Sequence, residues 1–126
     1  MTGDDMQDWV QARAEELPGV TVDQPFGPEV DVFRVRGLMF MALSPATRTG
    51  VTLKSAPADA EALRATFPAI IPGYHMNKRH WITLAPGGGI DETLVEDLVA
   101  NAYDLVVAGL PAAKRPIDPS RGALPG

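Results

Sequence analysis

The side chains most able to do chemistry crowd into one stretch. "PGYHMNKRHWITL", Pro72 to Leu84, holds both histidines, His75 and His80, one of the two tryptophans, Trp81, and the Lys78-Arg79 pair. Such a set can hold an anion, stack on a base or present a general base. Catalysis by a nucleophile needs Ser, Thr or Lys activated beside that base, and no strained G-x-S-x-G turn occurs. "PGGG" at 86–89 lacks the Lys-Ser/Thr ending of a phosphate loop. A metal centre needs three or four ligands; two histidines supply at most two, no cysteine exists and the motif contains no acid. The stretch therefore points to binding, and away from an enzyme, a metal or a cofactor.

Two local conformations are open. If Asn77-Lys78 turns the chain, Tyr74 faces Trp81 and His75 faces His80 across a hairpin. Pro72-Gly73 can instead open a longer loop. In either case Trp81, leading into "ITL", is expected to be buried.

Charge is distributed unevenly. The chain carries −5 overall, but residues 1–33 carry −7, residues 34–80 carry +5 and residues 81–126 carry −3. The basic middle contains Arg34, Arg36, Arg48, Lys54, Arg64, Lys78 and Arg79. This asymmetry suggests an anionic partner; the plainer reading is that oppositely charged segments face one another.

Positioning these groups requires a fold, and 126 residues suffice for one domain with a core of its own. No segment approaches the ~20 apolar residues of a membrane span. The acidic start "MTGDDMQDWV" is not a secretory signal, and the absence of cysteine suits the cytoplasm. The spacing of Trp9, Val10, Arg13 and Leu17 predicts a helix over about 5–17. "VTVDQPFG" reads as a short strand ending in a Pro-Phe-Gly turn, and "VDVFRVRGLMFMAL" as two strands turning at Arg36-Gly37, with Arg34 and Arg36 on one face. "LMFMAL", apolar on both faces, suits a central strand. "VTLKS" and "HWITLA" are further strands, and "APADAEALRATF" is a short helix with Ala62, Leu63, Thr66 and Phe67 near one face. Asp91 caps a long helix over about 91–109, whose Leu94, Leu98, Val99, Leu105 and Val106 pack on the sheet. The expectation is an α+β fold: one compact domain over 1–110, a mostly antiparallel sheet of about five strands with helices on it, and a Pro/Gly/Ala-rich tail over 111–126 expected to be poorly ordered.

"PGYHMNKRHWITL" resembles the hallmark of the MmcQ/YjbR family of small bacterial proteins. "LPGV", "QPFG", "VFRVRGLMFMAL", Leu53-Lys54 and "NAYDLVVAGL" follow that family's order, so the resemblance covers roughly residues 6–110. It implies a compact antiparallel α+β domain with the topology of the bacterial frataxin homologue, and DNA binding through a double-wing arrangement. Frataxins contact metal through acids of the first helix, where this chain has Asp4, Asp5, Asp8, Glu15 and Glu16. Two departures stand out. Leu38 replaces a lysine common in the family, removing a positive charge, and Ala102-Tyr103 replaces Ser-Tyr, removing a hydroxyl.

The leading functional expectation is weak, salt-sensitive DNA binding by Arg34, Arg36, Lys54, Lys78, Arg79 and His80, with Tyr74 and His75 as groove or stacking contacts. The alternative is a module that binds an anionic small molecule or a protein in a pocket around His75, His80 and Trp81.

Overall fold

Alternation of apolar and polar residues builds the sheet, and helical spacing builds the layer that covers it. A computed structural model describes residues 3–44, 50–73, 77, 79–85 and 89–116. The elements are α1 (Gly3–Glu15), β1 (Val20–Asp23), β2 (Asp31–Val35), β3 (Leu38–Leu43), β4 (Val51–Lys54), α2 (Pro57–Thr66), β5 (Ile70–Pro72), β6 (Trp81–Leu84) and α3 (Glu92–Ala108). A short 3₁₀ turn follows at Ala112–Lys114.

The six strands form one antiparallel sheet in the order β1-β2-β3-β4-β6-β5. The sequence pattern predicts about five. The additional strand is β5, hidden in "PAIIPG", where two prolines obscure the pattern; it lies at the sheet edge, where Pro72 is tolerated. β3 lies inside the sheet, as its two-sided apolar pattern requires.

One face of the sheet carries Phe33, Met41, Leu43, Val51, Leu53, Ile82 and Leu84, all buried against the helices. α1 supplies Met6, Val10 and Ala14; α3 supplies Val95, Leu98, Val99, Ala102 and Val106. Each buried Val or Leu contributes about 1.5–3 kcal/mol. A register shift at Phe33/Arg34 turns both Phe40 and Met41 inward, and Phe40 meets Tyr103 edge-on at 5.6 Å. α2 buries Ala60, with Leu63 and Phe67 half-buried; Ala62 and Thr66, expected on that face, are exposed.

α1 and α3 run side by side in the same direction. Arg13 of α1 pairs with Glu96 of α3 at 3.6 Å, and further along Tyr103 donates its hydroxyl to the Pro18 carbonyl at 2.6 Å. Near their N-termini, Gln7 is buried and donates to the Ser44 and Gly50 carbonyls at the far end of β3 and β4. The molecule thus has two distinct ends. One gathers the N-termini of α1 and α3; the other gathers the β2–β3 turn, the end of β4, the start of α2 and the start of β6.

Candidate functional site

The β2–β3 turn is a two-residue loop, since Val35 pairs with Leu38. Arg36 and Gly37 both have positive φ, 51° and 81°. This is the signature of a twist-matched hairpin turn. Glycine takes that conformation freely, whereas arginine takes it at a steric cost. Arg36 is therefore a turn residue and does not share a strand face with Arg34, as the alternation of β2 had suggested. The strand stops at Val35, one residue too early.

Arg34 and Arg36 are both engaged. Arg34 lies on the sheet face turned away from α1 and α3, its Nε donating to Asp23 at 3.1 Å and its Nη1 to the Gly37 carbonyl at 3.2 Å. Arg36 donates its Nε to the Lys114 carbonyl at 2.8 Å. The first is a surface ion pair with little net charge left to offer.

Lys54 and Trp81 are cross-strand partners on that same outer face. The Lys54 ammonium sits 5.4 Å from the indole ring centre, a cation–π contact of about 0.5–2 kcal/mol between a half-buried lysine and a buried ring. Trp81 is buried at 8% exposure, as expected, yet it stands outside the core formed by the helix-facing side chains. Its neighbour Ile82 points to the helices, so alternation sends Trp81 the other way.

The β5–β6 connection is closed at its neck by Gly73, which donates its amide to the Trp81 carbonyl at 2.9 Å. Gly73, and not Tyr74, therefore stands opposite Trp81, continuing the register in which Pro72 faces Ile82. The tight-hairpin pairing of Tyr74 with Trp81 is corrected by one residue. Asn77 makes the turn: its carbonyl accepts from His80 N at 3.1 Å and its Oδ1 accepts from Arg79 N at 2.9 Å. Arg79 is exposed and His80 half-buried. Tyr74, His75 and Lys78 lie outside the described residues.

His80 also ties this loop to β4, its carbonyl accepting from Ser55 N at 2.9 Å. α2 starts directly after Ser55, and its N-cap Ala56 makes no side-chain cap bond. The positive end of the α2 dipole thus lies at the same end as Lys54, Arg79 and His80, with Asp59 in the first turn opposing it.

The opposite end carries the other sign. A groove of about 530 Å³ is lined by Asp5, Asp8, Trp9, Arg13, Asp91 and Glu92 among others. The Arg13 guanidinium lies 4.9 Å over the Trp9 ring and pairs with Glu16 at 3.1 Å. Among the described residues, no group of three or more His, Asp or Glu is arranged to hold a metal ion.

Comparison with known proteins agrees with this architecture. The YjbR family model matches residues 15–105. The chain belongs to the YjbR family. It is 47% identical over 103 residues to the protein named uncharacterized protein YbdF of Escherichia coli O157:H7, covering 81% of this chain and 83% of that one. It is 34% identical to uncharacterized protein YjbR of Escherichia coli K12, over 65% of this chain and 70% of that one. In three dimensions it resembles the crystal structure of Deinococcus radiodurans protein DR2400, which has domain DUF419. The TM-score there is 0.78, the identity 33%, and the match covers 90% of this chain and 85% of the other. A Pseudomonas syringae protein aligns with a TM-score of 0.64 and 26% identity, over 83% of this chain and 98% of that one.

For this YjbR-family chain the single α+β domain is as expected, and the described site residues separate, with Arg36 held in the β2–β3 turn by the Lys114 carbonyl. Lys54, Arg79 and His80 come together where β4 meets β6. Arg34 stands two strands away, bound to Asp23. The helix entering after "VTLKS" starts where its sequence places it, but neither Ser55 nor that helix end stands among the expected site residues. The signal was available: Pro57 at the first turn marks a helix entering directly after Lys54-Ser55. Among the described residues, no helix is long and apolar enough to cross a membrane.

Proposed function

We propose that this protein binds nucleic acid weakly and without sequence preference, through phosphate contacts at its basic end. Lys54, Arg79 and His80 form the base of the surface, and Tyr74, His75 and Lys78 of the same loop complete it. The observation that carries this reading is the segregation of charge among the described residues: Lys54 and Arg79 lie at one end, and Asp5, Asp8, Asp91 and Glu92 line a groove at the other. Such a dipolar molecule approaches a polyanion with one end only.

Stacking is the less favoured mode at Trp81, because Lys54 lies over its ring and the residue is nearly enclosed. Phosphate contacts position a protein without reading sequence. Arg34 becomes part of the scaffold in this reading, since its partner is Asp23. The cytoplasm, with its DNA and RNA, is the compartment that the reading takes. The same burial of Trp81 disfavours the alternative of an anion pocket around His75, His80 and Trp81.

The test is a titration of labelled duplex DNA at low salt, comparing wild type with the double variant Lys78→Ala, Arg79→Ala. The double variant is expected to bind all sequences more weakly. Its plot of log affinity against log salt should be flatter by about 2 units, close to 0.9 per lost contact. Absence of wild-type binding at low salt, where electrostatics are strongest, defeats the reading.

A further inference from the structure

Arg36 combines two features that the hairpin alone does not explain. It occupies a positive-φ position, at 51°, where glycine fits without cost. It is also exposed, yet its Nε reaches 78 residues along the chain to the Lys114 carbonyl at 2.8 Å. A strained backbone position that carries a long functional side chain is a reason to ask what the side chain does.

The segment that it holds is a defined object. After α3 ends, Pro111–Pro116 crosses back to the β2–β3 turn. Arg115 anchors its near end, donating Nε to the Leu110 carbonyl and Nη2 to the Ala108 carbonyl, both at 3.0 Å. These bonds cap the C-terminus of α3. Pro116 packs on Gly19, its Cγ only 3.3 Å from where a Cβ would sit. Between these two anchors Pro111 to Lys114 are exposed, and Arg36 is the side chain that latches them to the sheet.

We propose that Pro111–Pro116 is a releasable strap, latched to the hairpin by Arg36, and that a polyanion opens it by drawing the Arg36 guanidinium from the Lys114 carbonyl to a phosphate. The partner's chemistry rests on the nucleic-acid reading above. A neutral carbonyl is the weaker acceptor; a phosphate forms a charge-assisted and often bidentate pair with arginine. The contact is exposed, so exchanging it leaves no buried donor unpaired. The latch therefore withholds one cation from the basic end until a stronger acceptor arrives.

Trypsin provides the test, because Lys114–Arg115 is cleavable and Arg115–Pro116 is not. Cleavage at Lys114 is followed by mass spectrometry in wild type and in Arg36→Gly, with and without short duplex DNA. Glycine adopts the turn conformation freely, so the variant retains the hairpin. Without DNA, Arg36→Gly should be cut about five-fold faster, the change expected for losing one net hydrogen bond. DNA should accelerate cleavage in wild type and leave the variant unaffected. Equal rates for variant and wild type without DNA overturn the latch. Bound DNA that leaves the wild-type rate unchanged overturns the competition. Absence of DNA binding overturns the nucleic-acid reading and the competition together, while a faster Arg36→Gly still supports the latch.

Discussion

Gly73 lies against Trp81 so closely that a Cβ added to it would come 2.5 Å from the Trp81 Cβ and 3.0 Å from the Trp81 backbone. This contact, with the Gly73 amide bonded to the Trp81 carbonyl, explains the two ends of "PGYHMNKRHW". The glycine permits the approach, and the tryptophan closes the neck from the β6 side. Gly73→Ala has no flexible neighbour to displace. It is expected to destabilise the fold by about 1–3 kcal/mol, the usual range for overpacking, read as a lower denaturation midpoint. An unchanged midpoint means that the neck is looser than described.

The Tyr103 hydroxyl bonds the Pro18 carbonyl at 2.6 Å across 85 residues, joining α3 to the turn after α1. Tyr103→Phe keeps the edge contact with Phe40 and leaves that carbonyl short of a partner. The expected loss is about 1–3 kcal/mol, and Phe40→Ala should cost more, about 3–5 kcal/mol. Chemical denaturation ranks the two. A larger loss from Tyr103→Phe would contradict the packing of Phe40.

Asp91 accepts from Leu94 N at 2.8 Å and so caps α3. Asp91→Ala should cost about 0.5–2 kcal/mol and Asp91→Asn clearly less, because asparagine also caps. Thermal melts of the pair decide it: equal losses would assign the effect to charge and not to the cap.

Trp81 emission should be blue-shifted in a Trp9→Phe background, since the residue is 8% exposed. Duplex DNA should leave that emission little changed, because Lys54 already covers the ring. Strong quenching on binding would mean that a base displaces Lys54 and stacks there.

Much of this was legible in the sequence, for identifiable reasons. α3 declares itself through an acidic cap followed by sustained helical spacing, and β3 through an apolar run that only an interior strand needs. β5 was hidden because it is three residues long and ends in proline. Arg36 was misplaced because alternation cannot show where a strand stops, and Gly37 left the turn's first residue open. The site was legible as a cluster of residue types. Its partition was not, since the capture of Arg34 by Asp23 depends on β1 pairing beside β2.

That partition makes its own prediction. Arg34→Ala should leave the salt dependence of DNA binding almost unchanged and cost at most about 1 kcal/mol of stability, as an exposed ion pair does. Arg79→Ala should flatten the salt slope by about 0.9. Equal slopes for the two variants would return Arg34 to the binding surface.

The central claim is one of location: the polyanion meets the end where β4 joins β6. Amide NMR signals followed during a titration with duplex DNA at low salt report it residue by residue. The account predicts that Lys54, Ser55, Arg79 and His80 shift in proportion to bound DNA, while Asp5, Asp8, Asp91 and Glu92 remain in place. Shifts confined to the α1–α3 groove, or no shifts at any residue, would contradict it.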